Sequence, residues 1–295
     1  MAQKRGGVLL PVLFLLLQDL LYGFGDPISK VAYDSIPVFS LLCVRYWIAA
    51  AALLALFGKK VLSELRQCRW QALLPPCLCI AGTYLLNNLA IKLTAATSVA
   101  FLRSMSTVMT PLLAWLLLRK KYHWKHLPVL AVVLAGLYLL CGFGGLSAFG
   151  AGEVLTLVSS ALMASALVFA GPAMQEVSAL TLTTAQSLSS ALLATVAAFA
   201  AEGGIHMENA DPKILLIIVY LAIFCTLAGY LLQNLALRAL SAGTVSLLQC
   251  ACPVMTAVFS YFILREQMTA AGLCGAALIL AGVAAETLLS RPAET

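Results

Sequence analysis

The chain consists of long apolar stretches joined by short polar connections, and this pattern constrains its fold more than any other feature. A helix needs about 20 apolar residues to cross the hydrocarbon core of a bilayer, whereas strands of a membrane barrel alternate in hydrophobicity. The stretches are Val8–Ile28, Pro37–Phe57, Gln71–Ile91, Ala95–Leu118, Leu127–Phe143, Gly152–Ala170, Leu182–Ala201, Ile214–Leu235, Ala242–Leu264 and Thr269–Leu289. The sequence therefore predicts an all-α membrane protein with ten transmembrane helices.

The composition excludes a water-soluble protein. Only 10% of the residues are charged and 62% are hydrophobic, whereas a soluble domain carries about 25% charged residues. The net charge of +6 comes from basic residues in short loops, so it bears on membrane topology and predicts no nucleic-acid partner. Eight of the nine cysteines lie within apolar runs, none of the nine has zinc-ligand spacing, and no metal or cofactor is predicted.

Lysine and arginine are distributed unevenly between the two sides of the predicted bundle. With a cytoplasmic N-terminus, twelve fall on the inner side, four on the outer side and two inside spans. Basic residues concentrate in cytoplasmic loops. Both termini are therefore predicted in the cytoplasm, with the acidic Glu202–Asp211 loop outside. The inner residues are Lys4, Arg5, Lys59, Lys60, Arg66, Arg69, Arg119, Lys120, Lys121, Lys125, Arg238 and Arg291; the outer ones are Lys30, Lys92, Lys213 and Arg265.

An internal repeat relates the two halves of the chain at an offset of 146 residues. Residues 84–92 read YLLNNLAIK and residues 230–238 read YLLQNLALR, with six of nine positions identical. The same offset pairs Val108–Thr110 with Val254–Thr256, Arg119 with Arg265, and Leu134–Gly136 with Leu280–Gly282. One unit holds five helices, an odd number, so the second copy must cross the membrane upside down. The sequence predicts inverted repeats over residues 1–146 and 147–295.

The end of the second repeat carries a motif that resembles a known family. The motif consists of Pro253, Arg265, Glu266, Gly275 and Leu278–Gly282. It resembles the EamA-like branch of the drug/metabolite transporter superfamily, whose members have ten helices in two such repeats. The first copy departs from it, with Lys120 in place of the Glu and Val129 in place of the first Gly. The resemblance implies transport, often export, of small metabolites, amino acids or drugs, and it does not specify the substrate.

Two charged residues lie deep within predicted spans, where charge is costly and usually functional. Asp19 lies about 16 Å along the first span, near the middle of a bilayer about 30 Å thick. We expect it to bind a coupling proton or another cation; the alternative is a static ion pair. Arg103, in the fourth span, is a candidate to bind a substrate carboxylate or phosphate, or to pair with Asp19. The alternative is that Arg103 extends to the membrane interface.

Polar residues related by the repeat are further candidates for substrate contact. Each repeat places a tyrosine and an asparagine one helical turn apart on one face, and Arg103 is the repeat mate of Gln249. The alternative role is hydrogen bonding between helices, which Asn87 and Gln233 fit better. The predicted substrate-binding residues are Asp19, Tyr84, Asn88, Arg103, Tyr230, Asn234 and Gln249.

Two further features have local interpretations. Arg45, beside Tyr46 and Trp47, is interpreted as an interfacial anchor. Gly23, Gly25 and Pro27 predict either a broken helix beside a binding site or simply the end of the first helix.

The expected function is secondary active transport of a small organic solute, with a proton or another cation as possible coupling ion. The expected partners are the solute and membrane lipid, which the basic Arg119–Lys125 run contacts. The chain is expected in the cytoplasmic membrane as a monomer or homodimer. A channel is one alternative. An intramembrane enzyme is a weaker one: the Gly23–Asp26 and Tyr33–Asp34 strings match aspartyl protease motifs, but in reversed order and too close together.

Overall fold

The computed structural model describes residues 9–94, 99, 102–119, 126–141, 150–265 and 269–289, and all regular secondary structure in these ranges is helical. Within them, eight helices are long and apolar enough to cross a membrane. These are α1 (Leu9–Tyr33), α2 (Val38–Gln67), α3 (Trp70–Leu93), α6 (Ala151–Glu176), α7 (Ala179–Glu202), α8 (Pro212–Leu237), α9 (Ala242–Ile263) and α10 (Ala270–Leu289). Two shorter apolar helices are α4 (Ser106–Leu118) and α5 (Leu127–Cys141). The all-α membrane architecture is confirmed.

Several residues that the sequence analysis names lie outside the described ranges. They are Lys4, Arg5, Lys120, Lys121, Lys125, Glu266 and Arg291.

Short polar side chains cap the N-termini of α7 and α8. The Ser178 hydroxyl accepts from the Thr181 N–H at 3.3 Å at the start of α7, and Asp211 accepts from the Ile214 N–H at 2.7 Å at the start of α8. Such N-caps satisfy donors that a helix leaves without an internal partner. The α2 N-terminus is capped by another helix: Glu202, at the end of α7, accepts from the backbone N–H groups of Phe39 and Ser40 at 2.8 Å.

The helices form a few extended pairs. These pairs join a helix of the first half, α1–α5, to a helix of the second half, α6–α10. From the first half, α3 packs along α6 and α7, and α4 packs against α6. From the second half, α8 packs against α1 and α2, and α9 packs against α1. The pairs α2–α7 and α5–α10 are of the same kind.

Glycine permits the close approach of α5 and α10. A Cβ atom on Gly136 would lie 2.8 Å from the carbonyl oxygen of Gly275, and one on Gly282 would lie 2.4 Å from Val133 Cγ2. Membrane helices gain van der Waals contact where small residues let their backbones approach. These glycines therefore serve packing.

The expected break or end of the first helix near Pro27 does not occur. Helix α1 continues through Pro27 to Tyr33. A Cβ on Gly23 would lie 2.4 Å from Met255 Cβ, and one on Gly25 would lie 2.6 Å from Cys225 Sγ. The glycines thus let α1 pack closely against α9 and α8, which explains their presence without a break.

Three of the described helices carry local irregularities. Helix α7 ends in a π-helical segment at Ala198–Glu202, α8 has a π-helical segment at Leu221–Ala228, and α9 has a 3-10 segment at Gln249–Ala251. Irregular turns inside long helices occur frequently at functional sites. The 3-10 segment in α9 lies beside the cavity described next.

Candidate functional site

A cavity with many polar residues in its wall lies inside the bundle, between α1, α3, α6, α9 and the segment leading into α4. The space open to the centres of water molecules is about 60 Å³, room for about four waters. It is lined by Asp19, Tyr22, Thr83, Tyr84, Asn87, Arg103, Ser104, Ser106, Thr107, Met163, Ser246, Gln249, Cys250, Cys252 and Pro253. Four residues predicted to contact substrate, Asp19, Tyr84, Arg103 and Gln249, are thus brought to one cavity.

Asp19 is the cavity's exceptional side chain. It is 1% exposed, and neither carboxylate oxygen has a hydrogen-bond partner among the described residues. A buried carboxylate without a partner is costly in a low-dielectric interior. A proton or a cationic ligand at Asp19 would remove this cost.

The expected pair between Asp19 and Arg103 does not form. Arg103 Nη2 donates to Asp26 Oδ2 at 3.0 Å and to Cys252 Sγ at 3.4 Å. Thr256 Oγ1 donates to the same Asp26 oxygen at 3.3 Å. The Arg103 charge is therefore balanced by Asp26, which lies seven residues, about two helical turns, after Asp19 on α1.

Arg103 also borders a second, smaller cavity. This cavity is lined by Asp26, Pro27, Lys30, Ile91, Val99, Arg103, Thr256, Ser260 and Leu264. Both Asp26 and Thr256 line it, so the Asp26–Arg103–Thr256 cluster lies where the two cavities approach each other. We call this cluster the gate.

Gln249 belongs to a triad of glutamines. Its Nε2 donates to Gln18 Oε1 at 3.1 Å and to Gln233 Oε1 at 2.9 Å, and Gln18 Nε2 donates to Gln233 Oε1 at 3.2 Å. These bonds connect α1, α8 and α9. The Gln233 contacts match its predicted role in joining helices.

Tyrosines extend from the cavity into the bundle. The Tyr84 hydroxyl donates to the Tyr22 hydroxyl at 3.0 Å, and the Tyr230 ring centroid lies 5.4 Å from that of Tyr84. Tyr230 is 1% exposed, and its hydroxyl has no hydrogen-bond partner within the described ranges. Tyr230 therefore contacts a wall residue of the cavity through its ring.

The two predicted asparagines make hydrogen bonds between helices. Asn88 Oδ1 accepts from the Tyr33 hydroxyl at 2.6 Å, and Asn88 Nδ2 donates to the Tyr84 carbonyl at 2.7 Å. Asn234 Nδ2 donates to Thr183 Oγ1 at 3.0 Å and to Gln186 Oε1 at 2.8 Å. These contacts correspond to the alternative role stated above.

The interpretation of Arg45 as an interfacial anchor is wrong. Arg45 is 5% exposed, and its Nε donates to Thr226 Oγ1 at 2.8 Å in the π-helical part of α8. Its guanidinium carbon lies 5.4 Å from the Tyr46 ring centroid. The neighbouring Trp47 is exposed and fits the interface better.

Sequence reasoning gave Asp26 no role at the site, although a signal was present. Asp26 follows Asp19 by seven residues, about 10 Å along a helix. The first span runs toward the side from which the fourth span enters, so Asp26 and Arg103 are both close to that side. Comparing the distances of Asp26 and Arg103 from that side of the membrane would have predicted that these two residues pair. Tyr22, one turn after Asp19, was likewise missed.

The described residues contain no group of three or more His, Cys, Asp or Glu side chains placed to hold a metal ion. The site's charged groups, in the part of the chain described, are the unpaired Asp19 carboxylate, the Asp26–Arg103 ion pair and Lys30 on the wall of the smaller cavity; its other polar groups are neutral.

Comparison with known proteins agrees with this architecture. A transporter of Archaeoglobus fulgidus described as uncharacterized is 26% identical over 280 residues, spanning 92% of this chain and 95% of its own length. A second such transporter of that organism is 23% identical over 269 residues, spanning 91% of this chain and 83% of its own. A protein crystal structure with 18% identity matches the fold with a TM-score of 0.79, over 95% of this chain and 97% of its own.

The family profile of the EamA-like transporter family matches the chain over residues 9–142 and again over residues 150–286. These two matches include the three irregular helices, the residues that line the cavity, and the gate. The chain is a multi-pass membrane transporter of a solute and not an enzyme, and it belongs to the EamA-like transporter family.

Proposed function

We propose that this transporter is a secondary carrier that exports a small organic solute by alternating access, with proton coupling at Asp19. The observation that carries the proposal is the polar cavity inside the bundle with an unpaired carboxylate on its wall. An ionised carboxylate there needs a partner. A carrier provides two partners in turn, a proton and the solute.

The division into inverted repeats, residues 1–146 and 147–295, is supported by the pairing of the helices. A two-fold axis between the repeats would exchange α1 with α6, α2 with α7, and so on to α5 with α10. It would map the α3–α6 pair onto the α8–α1 pair and the α4–α6 pair onto the α9–α1 pair, and all four pairs are present. The same exchange leaves α2–α7 and α5–α10 unchanged, as a two-fold axis requires. Five helices per repeat put this axis in the membrane plane, with all ten helices crossing.

Backbone geometry and packing at equivalent positions support the same axis. Arg119 and Arg265, at the repeat offset of 146, both adopt the left-handed conformation, with φ of 51° and 55°. Gly136 approaches Gly275 and Ile279, and Gly282 approaches Val129 and Val133, which are the repeat mates of those residues.

The gate supplies the barrier that alternating access requires. In the proposed topology the C-terminal ends of α1 and α9 face outward, and both contribute to the smaller cavity beyond Arg103. Separating Asp26 from Arg103 joins the two cavities into an outward path. With the pair intact, the path to the outside is closed.

Proton coupling follows from the position of Asp19 inside this barrier. When the gate opens, the solute leaves and a proton from outside binds Asp19. When the gate closes, the proton leaves to the cytoplasm and the solute replaces it. Proton and solute binding are then linked, and each changes the affinity for the other by the same factor.

The substrate site combines the predicted residues that line the cavity, Asp19, Tyr84, Arg103 and Gln249. Asp19 binds the solute or the proton, and Tyr84 forms part of the cavity wall. Gln249 contributes a polar group to the wall, and Arg103, as part of the gate, closes the cavity toward the outside. Tyr230, Asn88 and Asn234 act through the packing of α1, α3, α7 and α8.

Counterflow in proteoliposomes tests the carrier mechanism against a channel. The solute is first identified by a thermal-stability screen of purified protein across amino acids, nucleosides, amines and organic phosphates. In a carrier, unlabelled solute loaded inside the vesicles drives a transient accumulation of labelled solute from outside. The rate of this exchange saturates as the solute concentration rises. Equilibration without overshoot contradicts the carrier and supports a channel.

Orientation is tested with single-cysteine variants in intact cells. We propose cytoplasmic termini in the cytoplasmic membrane, so Glu208→Cys should react with an impermeant reagent from outside and Lys59→Cys only from inside. Both residues are exposed. Labelling of Glu208→Cys only from the cytoplasm contradicts the topology. Crosslinking in membranes distinguishes a monomer from a homodimer.

A further inference from the structure

We propose that the solute is a small organic cation whose ammonium group binds Asp19 in competition with the proton. This inference rests on the proposed transport function and adds the substrate class. It is carried by the charge balance of the cavity, its unused hydrogen-bond acceptors and its aromatic wall.

The charge balance favours a positive ligand. Asp26 lies 3.0 Å from Arg103, so this pair contributes little net charge. The carboxylate of Asp19 has no partner among the described residues, although it lies on the wall of the same cavity. An anion would have to displace Asp26 from Arg103 and would then face Asp19 across a cavity that holds about four waters. A cation neutralises Asp19 and leaves the gate intact.

The hydrogen-bond inventory points to a ligand that donates. Three polar wall residues already donate to the protein. Thr83 Oγ1 donates to the Cys79 carbonyl at 2.8 Å, Thr107 Oγ1 to the Ser246 carbonyl at 2.9 Å, and Gln249 Nε2 to two glutamines.

The unused groups are acceptors. Both oxygens of Asp19 and Oδ1 of Asn87 are buried without a partner in the described ranges. A primary ammonium has three N–H donors and no acceptor, which suits a cavity whose unused polar atoms on Asp19 and Asn87 are acceptors. Buried acceptors that stay unmatched cost stability, so a ligand that satisfies them binds tightly.

The wall of the cavity suits such an ion. Tyr22 and Tyr84 line it with their rings edge-on to each other, 6.2 Å between centroids. A cation near a tyrosine ring is attracted by the negative face of its π-system. Met163 and Pro253 add apolar surface for a hydrocarbon stem. The volume fits an alkylammonium of about five non-hydrogen atoms.

The inference is tested by binding of n-butylammonium to the purified full-length protein, measured by thermal unfolding in detergent. n-Butanol and butyrate serve as the neutral and anionic comparisons. We expect only the ammonium to raise the unfolding temperature. Its apparent affinity should tighten with rising pH, by up to about tenfold per unit, because one proton leaves Asp19 on binding. Stabilisation by butyrate of equal size, or ammonium binding that does not depend on pH, overturns the inference.

Two variants locate the binding group. Asp19→Asn should weaken n-butylammonium binding at least tenfold, whereas Asp34→Asn, the same change at an exposed turn, should leave it unchanged. If Asp19→Asn does not fold, Asp19→Glu keeps the charge. It should bind with the same pH dependence and prefer a shorter alkyl chain.

Three results overturn the proposal. They are wild-type affinity in Asp19→Asn, loss of pH dependence in a folded Asp19→Glu protein, and no stabilisation by any alkylammonium from methyl to hexyl. A failure of the proposed transport function gives a distinguishable result. In that case n-butylammonium binds at Asp19, but no alkylammonium ion is exchanged in the counterflow assay.

Discussion

Asp26 accepts a hydrogen bond from Arg103 at 3.0 Å, so the arginine expected to recognise an anionic substrate is already neutralised by the protein. The side chains are 26% and 20% exposed, which places the pair between full burial and solvent. In the mechanism that we propose, this contact makes Arg103 part of a barrier between two cavities and leaves Asp19 as the charge available to ligands.

The Asp26–Arg103 pair should be measurable as a coupling energy. We expect Asp26→Asn and Arg103→Gln each to destabilise the protein, since each leaves one charge without its partner. The double variant should lose less than the sum, with a coupling of about 1–3 kcal/mol for a partly buried pair. Thermal unfolding of the four proteins in one detergent gives the cycle. Additive losses would show that the pair contributes nothing.

The Asp19→Asn variant should separate exchange from coupling. Asn resembles the protonated acid in shape and cannot release a proton. At solute concentrations high enough to saturate the weakened site, counterflow exchange should persist, but accumulation driven by a pH gradient should be lost together with its pH dependence. Parallel counterflow and gradient-driven assays in proteoliposomes measure both, with Asp34→Asn as control. If Asp19→Asn still accumulates solute with the wild-type pH profile, Asp19 is only structural.

Gly282→Ala should destabilise the α5–α10 pair by about 1–3 kcal/mol, the usual loss for an overpacked contact. The new Cβ meets Val133 Cγ2 at 2.4 Å, and its other contacts with α5 are at ordinary distances. Adding Val133→Ala should therefore remove most of the loss. Gly136→Ala is the matched comparison, because its Cβ meets the Gly275 carbonyl oxygen at 2.8 Å, which Val133→Ala does not remove. Equal rescue of both alanines would contradict the packing.

The loop between α7 and α8 should be stabilised at low pH. His206 Nε2 lies 2.9 Å from the Glu202 carbonyl oxygen, and Nδ1 lies 3.5 Å from Glu208. The Glu202 carbonyl, and next the Glu208 side chain, raise the pKa of His206 above its ordinary value. This stabilisation is present below about pH 6.5 and is lost as the pH rises through the raised pKa.

A His206→Gln comparison tests this pH dependence. The variant should unfold at a lower temperature than the wild type in acid, and the two should converge in alkali. A difference that stays constant with pH would contradict the assignment.

The fold was predictable because long apolar stretches in a bilayer leave helices as the available solution. The end of the first helix was not, because Pro27 can either end a helix or lie within one, and only packing against α8 and α9 decides. Glycines at 23 and 25 carry that packing, which the sequence alone does not reveal.

The site was predictable in its residues and less so in its contacts. Position along a helix gives the depth of Asp19 and Arg103 but not the direction in which each side chain points. The partner of Arg103 therefore depended on how α1 rotates against its neighbours, and Asp26 is the residue that meets it. Arg45 was misread for a similar reason, because its burial depends on the π-helical segment of α8 that supplies Thr226.

The most direct test of the account uses Cys252, which lines the cavity 3.4 Å from Arg103. A protein keeping only this cysteine is reconstituted, and an impermeant thiol reagent is added to one side at a time. With the gate closed, we expect labelling from the cytoplasmic side. Asp26→Asn should speed labelling from outside by about tenfold, which corresponds to a shift of about 1.4 kcal/mol between two conformations, and should slow labelling from inside. Cys252 that reacts from both sides at once, at rates that Asp26→Asn leaves unchanged, would contradict alternating access through this gate.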